Sequence, residues 1–71
     1  MGNHPNWEEL VGRRVQVRKD GRIIRTGYVD AVTFAADALW IQAHGADPRA
    51  LYEKARGHAV LPVSDPPTAR N

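Results

Sequence analysis

The chain has 71 residues, no cysteine and a formal net charge of +2. This length allows one domain with a small hydrophobic core, and the lack of cysteine excludes a disulfide-stapled scaffold and any cysteine-based metal site. No apolar run reaches the roughly 18 residues that a membrane-spanning helix needs, and residues 1–10 lack the apolar segment of a signal peptide, so we expect a cytoplasmic protein.

Positive charge is concentrated in residues 13–25. This segment holds six basic side chains and one acidic one, a net charge of +5, which leaves −3 for the rest of the chain. Such asymmetry can give a nearly neutral protein one positive face. The alternative is a set of solvated side chains on a hairpin, where lysine and arginine protect an exposed edge from pairing with other chains.

Residues 1–9 are predicted to form a flexible stretch that ends in a short helical turn. Asn6 is a suitable N-cap for this turn, because its side chain can accept a hydrogen bond from the first backbone N–H groups. We expect Trp7 to act as a lid that, together with Leu10 and Val11, closes one end of the core.

A β-hairpin is predicted around Asp20 and Gly21. In residues 13–19, Val15 and Val17 alternate with arginine and glutamine, which is the period of a half-buried strand. An Asp-Gly pair after such a run is a strong hairpin signal, because glycine adopts a positive φ without a steric clash.

The second strand is predicted over residues 22–34 and carries apolar residues on both faces. A long strand of this kind with an internal glycine is typical of a strand that bends through a bulge, which we place near Gly27 or Asp30. Bent strands pass from one sheet to the other in small barrels. This pattern favours a barrel over a flat sheet.

Residues 48–56 are ambiguous between helix and strand. Asp47 as N-cap and Gly57 beyond the end fit a short helix at 48–56, which would make the fold α+β. A small barrel instead needs a fourth strand over residues 49–53, followed by a tight 3₁₀-like turn. We favour the strand, because tertiary pairing can override local propensity.

The remaining strands are predicted over residues 38–43 and 58–63, and residues 64–71 are typical of a disordered tail. The β-barrel domain is therefore placed at residues 10–63. Its expected core consists of the apolar residues that point inward in this arrangement: Leu10, Val15, Val17, Val29, Val32, Leu39, Ile41, Leu51, Val60 and Val63.

The order of these elements resembles the small SH3-like barrels, which are mainly β and have four to five antiparallel strands. The resemblance rests on GRRVQV at residues 12–17, GYVDAV at 27–32 and LWI at 39–41. The chain is also similar to short uncharacterised proteins of high-GC bacteria and their phages. Fold similarity does not establish function, so the resemblance implies only a small barrel.

The preferred function is a non-enzymatic module that binds nucleic acid through the basic hairpin. Basic side chains beside one or two aromatic rings are how several small barrels hold single strands or RNA. The predicted nucleic-acid-binding residues are Arg14, Arg18, Lys19, Arg22, Arg25 and Tyr28. The alternative is a protein-binding or self-associating module that uses Trp40 and Tyr28.

An enzyme is not expected, and neither a metal nor another cofactor is predicted. His4, His44 and His58 lack the spacing of metal ligands, and Ser64 is the only serine, at the start of the predicted tail. A remote alternative is a small pore-type oligomeric reductase, because the plasmid-type dihydrofolate reductase is built on an SH3-like barrel. Residues 15–18 have only a superficial similarity to its pore-lining stretch.

Overall fold

The computed structural model describes residues 6–64, and these residues form a mainly β fold with two single-turn 3₁₀ helices. The elements in chain order are η1 (Trp7–Leu10), β1 (Arg14–Lys19), β2 (Arg22–Val32), β3 (Ala38–Ile41), β4 (Ala50–Glu53), η2 (Lys54–Arg56) and β5 (Ala59–Pro62). No helix in this part of the chain is long and apolar enough to cross a membrane. The predicted flexible N-terminus and tail lie mostly outside the described residues.

The five strands form one open antiparallel sheet in the order β4-β3-β2-β1-β5. Strand β1 is paired on both sides, with β2 and β5, and β3 is paired with β2 and β4. Strands β4 and β5 are therefore the two edges. The prediction of a mainly β fold with four to five antiparallel strands is confirmed, and the number of strands is five.

The alternative of a helix over residues 48–56 is wrong. Ala50 pairs with Ile41 and Glu53 pairs with Ala38, so this segment is a strand along β3. Gly57, which was predicted to lie just beyond the end of this helix, instead terminates the shorter η2 with φ of 87°. Backbone pairing satisfies the N–H and C=O groups of residues 50–53 that face β3, and a two-turn helix would leave β3 without that partner.

The predicted hairpin joins β1 to β2 through Asp20 and Gly21. Both residues have positive φ, 54° and 77°, and Lys19 pairs with Arg22 across the turn. Positive φ at both central positions defines a type I′ turn, whose twist matches that of the flanking strands. The sequence-based prediction of this turn is confirmed.

The pairing of strand β2 is irregular at two places, where one of its residues has no partner in the adjacent strand. Ile24 is passed over between the pairs that Arg18 and Val17 make with β2. Asp30 is passed over where β2 pairs with β3. The bulge predicted near Gly27 or Asp30 is found at Asp30. Each extra residue changes which parity of the strand faces the core. The apolar Ile23 and Ile24 nevertheless both remain exposed.

The core is a single cluster with Trp7 and the 3₁₀ turn η1 at one end. Its buried members are Trp7, Leu10, Val15, Val17, Val29, Leu39, Ile41 and Val60, with Val32, Ala36 and Tyr52 packed against them. Asn6 caps η1 as predicted, its Oδ1 accepting from Glu8 N. Trp7 is buried as expected for a lid, and seven of the ten predicted core residues are fully buried.

Two apolar residues that were predicted to face the core are exposed instead. Leu51 is 38% exposed, because its neighbour Tyr52 pairs with the buried Leu39 and alternation turns Leu51 outward. Val11 is 53% exposed, because η1 ends at Leu10 and Val11 follows it as the extended C-cap residue. Val32 and Val63 are half-buried.

Candidate nucleic-acid interface

Three of the predicted nucleic-acid-binding residues lie on the outward face of the β1–β2 ribbon. Val15 and Val17 of β1 are fully buried, so alternation turns Arg14 and Arg18 away from the core. Arg14 pairs directly with Tyr28 of β2, and residues opposite each other in a ladder project to the same side. The ribbon therefore brings two guanidinium groups and one phenol ring onto one surface.

The cleft beside Tyr28 is lined by basic and polar groups from β1, β2 and the segment after β3. It has a volume of about 330 Å³, and Arg14, Thr26, Tyr28, Gln42 and His44 are among its walls. One terminal nitrogen of Arg14 donates to the Ser64 carbonyl oxygen at 2.9 Å. That bond uses one of the five guanidinium donors, so Arg14 keeps donor capacity at the surface of the cleft.

The other three predicted basic residues lie on the opposite side of the ribbon. Lys19 and Arg22 flank the type I′ turn and are exposed. Arg25 pairs with the inward-facing Val17, so it shares the side of the core residues. Alternation thus divides the five basic residues predicted to bind nucleic acid into an outward pair and an inward or terminal trio.

Arg25 is held by two backbone carbonyls. Its terminal nitrogens donate to Pro48 O at 2.8 Å and to Gln42 O at 2.9 Å, both in the segment that connects β3 to β4. Hydrogen bonds from a charged donor are stronger than those between neutral groups. The guanidinium therefore ties the β3–β4 connection to β2, a structural role that the sequence did not indicate.

A larger cleft lies between the hairpin turn, η2 and β5. Its volume is about 510 Å³, and its walls include Trp7, Arg18, Asp20, Lys54 and His58. Lys54 and His58 were not predicted as site residues, because they lie more than 30 positions from Arg18 in the chain. Only the tertiary fold brings the second 3₁₀ turn beside the basic hairpin.

Arg18 carries the one buried side-chain polar atom that lacks a hydrogen-bond partner among residues 6–64. This atom is Nε, while one terminal nitrogen donates to Gln16 Oε1 at 3.2 Å. An unsatisfied buried donor costs about 1–3 kcal/mol. Arg18 is thus held in a position that its protein neighbours do not fully satisfy.

The side chain of Trp40, the predicted partner-binding residue, is half-buried on the outward side of β3. The Arg49 guanidinium lies 4.1 Å from the centroid of its ring, and Arg49 Nε is 2.7 Å from Asp30 Oδ2. Trp40 pairs with the exposed Leu51 of β4. This surface does not share a cleft with Tyr28, so the two predicted partner-binding aromatics belong to different sites.

Within the part of the chain that the structure describes, no three His, Asp or Glu side chains are grouped to hold a metal ion. His58 Nδ1 lies 3.1 Å from both the backbone N and O of Glu53, and its ring packs edge-on against Tyr52. His44 belongs to a tight turn that pairs it with Asp47. His4 lies outside the described residues.

Searches for similar proteins found no match to this chain among family models, curated proteins or solved structures.

Proposed function

We propose that this domain is a non-enzymatic binding module that contacts nucleic acid through the outward face of β1 and β2. The observation that carries the proposal is the cross-strand pair of Arg14 and Tyr28 at one cleft. A guanidinium can pair with a phosphate, and a neighbouring ring can stack on a base, which is the combination that single-strand binding uses.

Arg18 extends this surface along β1. It lies four residues from Arg14 on the same side of the strand, a separation of about 13 Å at the rise of an extended chain. Two cations at this distance can contact separate phosphates along one strand, whereas a single cation would contact only one. Lys19 and Arg22 at the exposed turn add to the positive potential that attracts a polyanion.

We also propose that the sheet closes into an SH3-like barrel. Support comes from the short connection between its two edges, in which only η2 and two further residues separate β4 from β5. At this end Glu53 N lies 3.1 Å from His58 Nδ1, and His58 N lies 3.4 Å from Glu53 O. The unpaired residue Asp30 of β2 also supports closure of the sheet, because a bulge bends a strand and a bent strand can serve both halves of a barrel.

The proposed function is tested by fluorescence anisotropy with labelled single- and double-stranded oligonucleotides at several salt concentrations. The double variant Arg14→Gln/Arg18→Gln should weaken binding and reduce the salt slope by about 0.7 for each lost contact to a single strand. Tyr28→Ala should weaken binding without changing the slope, because stacking releases no counterions. Arg56→Gln removes one charge from η2 and measures the effect of total charge per arginine.

Unchanged affinity and slope in the folded double variant would refute the proposal. A loss of binding free energy no greater than twice that of Arg56→Gln would also refute it, because total charge alone would then explain the effect of the two substitutions.

The second candidate is self-association through β4, and the exposed Leu51 beside Trp40 favours it. An edge strand offers unpaired backbone groups, and this one has an apolar side chain on its outward face. Light scattering over a range of protein concentrations tests it. A dimer that Leu51→Lys converts to a monomer would support self-association, and a monomer at all concentrations would exclude it.

A further inference from the structure

The cleft between the hairpin turn, η2 and β5 contains more positive charge than its neighbours neutralise. Arg18 and Lys54 line it with His58, and Asp20 is the carboxylate among its walls. The two ion pairs formed within residues 6–64 are Arg49 with Asp30 and Arg56 with Glu53. Neither involves Arg18 or Lys54, so both cations of the cleft lack a carboxylate partner within the described part of the chain.

The arrangement of the donors is held by the fold. Lys54 Nζ lies 4.9 Å from the centroid of the buried Trp7 ring, a cation–π contact that positions the ammonium group. Backbone atoms of Glu53 engage His58 Nδ1, which leaves Nε2 as the ring nitrogen for a ligand. Arg18 has one bonded terminal nitrogen and an unpaired buried Nε.

We propose that this cleft binds a phosphate group. Guanidinium, ammonium and imidazole nitrogens all donate to phosphate oxygens, and the guanidinium fork can do so with two parallel bonds. A volume of about 510 Å³ far exceeds the ~30 Å³ that one water molecule occupies, so the cleft has room for such an anion. The cleft is distinct from the Arg14–Tyr28 cleft, although Arg18 belongs both to it and to the proposed nucleic-acid surface.

Replacing Asp20 provides a test in which the binding of phosphate should become stronger. Its carboxylate is the negative charge at the cleft, and it should repel a bound phosphate. Asp20 has φ of 54° in the type I′ turn, a position where asparagine is at least as favourable. Asp20→Asn therefore removes the repulsion and keeps the turn.

The experiment is an NMR titration of the ¹⁵N-labelled protein with inorganic phosphate at constant ionic strength, balanced with chloride. The Trp7 indole N–H and the amides of Gly21, Gly57 and Ala59 should shift together along one saturable curve. The Trp40 indole, outside the cleft, should not follow this curve.

Four proteins define the result. Arg18→Gln/Lys54→Gln should lose the saturable shift, and Asp20→Asn should bind phosphate several-fold more tightly than the original protein. Arg13→Gln removes one exposed charge outside the cleft and should leave the curve unchanged. No saturable shift in the original protein, or the same curve in the folded double variant, would overturn the proposal.

The source of the phosphate is identified by competition. Competition by a 5′-phosphorylated oligonucleotide, but not by the unphosphorylated strand, assigns the site to a terminal phosphate. Competition by both strands assigns it to backbone phosphates, and competition by a nucleoside monophosphate alone assigns it to a small phosphorylated molecule. Phosphate binding that persists in Tyr28→Ala while oligonucleotide binding is lost would separate this site from the proposed nucleic-acid surface.

Discussion

Arg25 distinguishes a structural arginine from a phosphate-binding one within the same hairpin. Replacing it with methionine removes the charge and both hydrogen bonds to the β3–β4 connection but keeps a long unbranched side chain. Hydrogen bonds from charged groups contribute about 1.5–3 kcal/mol each, and less where water competes. Because both bonds of Arg25 are solvent-exposed, we expect Arg25→Met to lower the free energy of unfolding by about 1–2 kcal/mol in total.

The loss should be visible in thermal and urea unfolding followed by tryptophan fluorescence. For a domain of this size, 1 kcal/mol corresponds to a change of about 4–8 °C in Tm. Oligonucleotide affinity, measured well below Tm, should stay close to that of the original protein. Arg25 lies on the opposite side of the ribbon from Arg14 and Tyr28, so the loss of its charge should have only a small effect at physiological salt.

Arg25→Lys is the control variant that separates the charge of Arg25 from its two hydrogen bonds. Lysine keeps the charge, but its single ammonium group cannot reproduce the guanidinium fork that reaches Pro48 O and Gln42 O together. If Arg25 is structural, both variants lose stability and keep affinity. If Arg25→Met is as stable as the original protein but binds oligonucleotide more weakly, and Arg25→Lys restores binding, the structural reasoning is wrong.

Three further predictions concern the fold. Gly27→Ala should destabilise the protein by about 1–3 kcal/mol, because a Cβ at this position would lie 2.7 Å from Ile41 Cγ2; chemical denaturation should show that Ile41→Leu, which has no methyl branch on Cβ, recovers part of the loss. Gly21→Ala should cost about 1 kcal/mol, because φ is 77° in the type I′ turn; an unchanged urea midpoint would contradict this turn. Leu39→Ala should cost about 2–5 kcal/mol, and Trp40→Ala clearly less, because Leu39 is fully buried and Trp40 is not; equal losses in the same assay would show that Trp40 belongs to the core.

Local features of the fold could be predicted from the sequence because short-range sterics decide them. The Asp-Gly pair adopts positive φ at both positions, and Asn6 can cap the turn that follows it. The alternation of Val15 and Val17 with polar residues requires one buried face. Each of these features depends on a few neighbouring residues, so no distant contact was needed to recognise it.

The candidate site could be predicted only in part. The sequence showed that basic residues cluster in 13–25, but it did not show on which side of the ribbon each one lies. The unpaired residue Ile24 changes the parity of β2, and the pairing of Arg25 with Val17 places Arg25 on the side of the carbonyls to which its guanidinium donates. A one-residue irregularity is invisible in composition and moves a side chain to the opposite face.

A small β-rich fold, the position of its hairpin and most of its core follow from local sequence patterns. That Ala50–Glu53 is a strand depends on its pairing with β3, because its helix signals are local while β3 offers a backbone partner. The same long-range packing placed η2 against the hairpin and brought Lys54 and His58 to Arg18. Contacts between residues far apart in the chain depend on how strands pair, and no local pattern encodes that pairing.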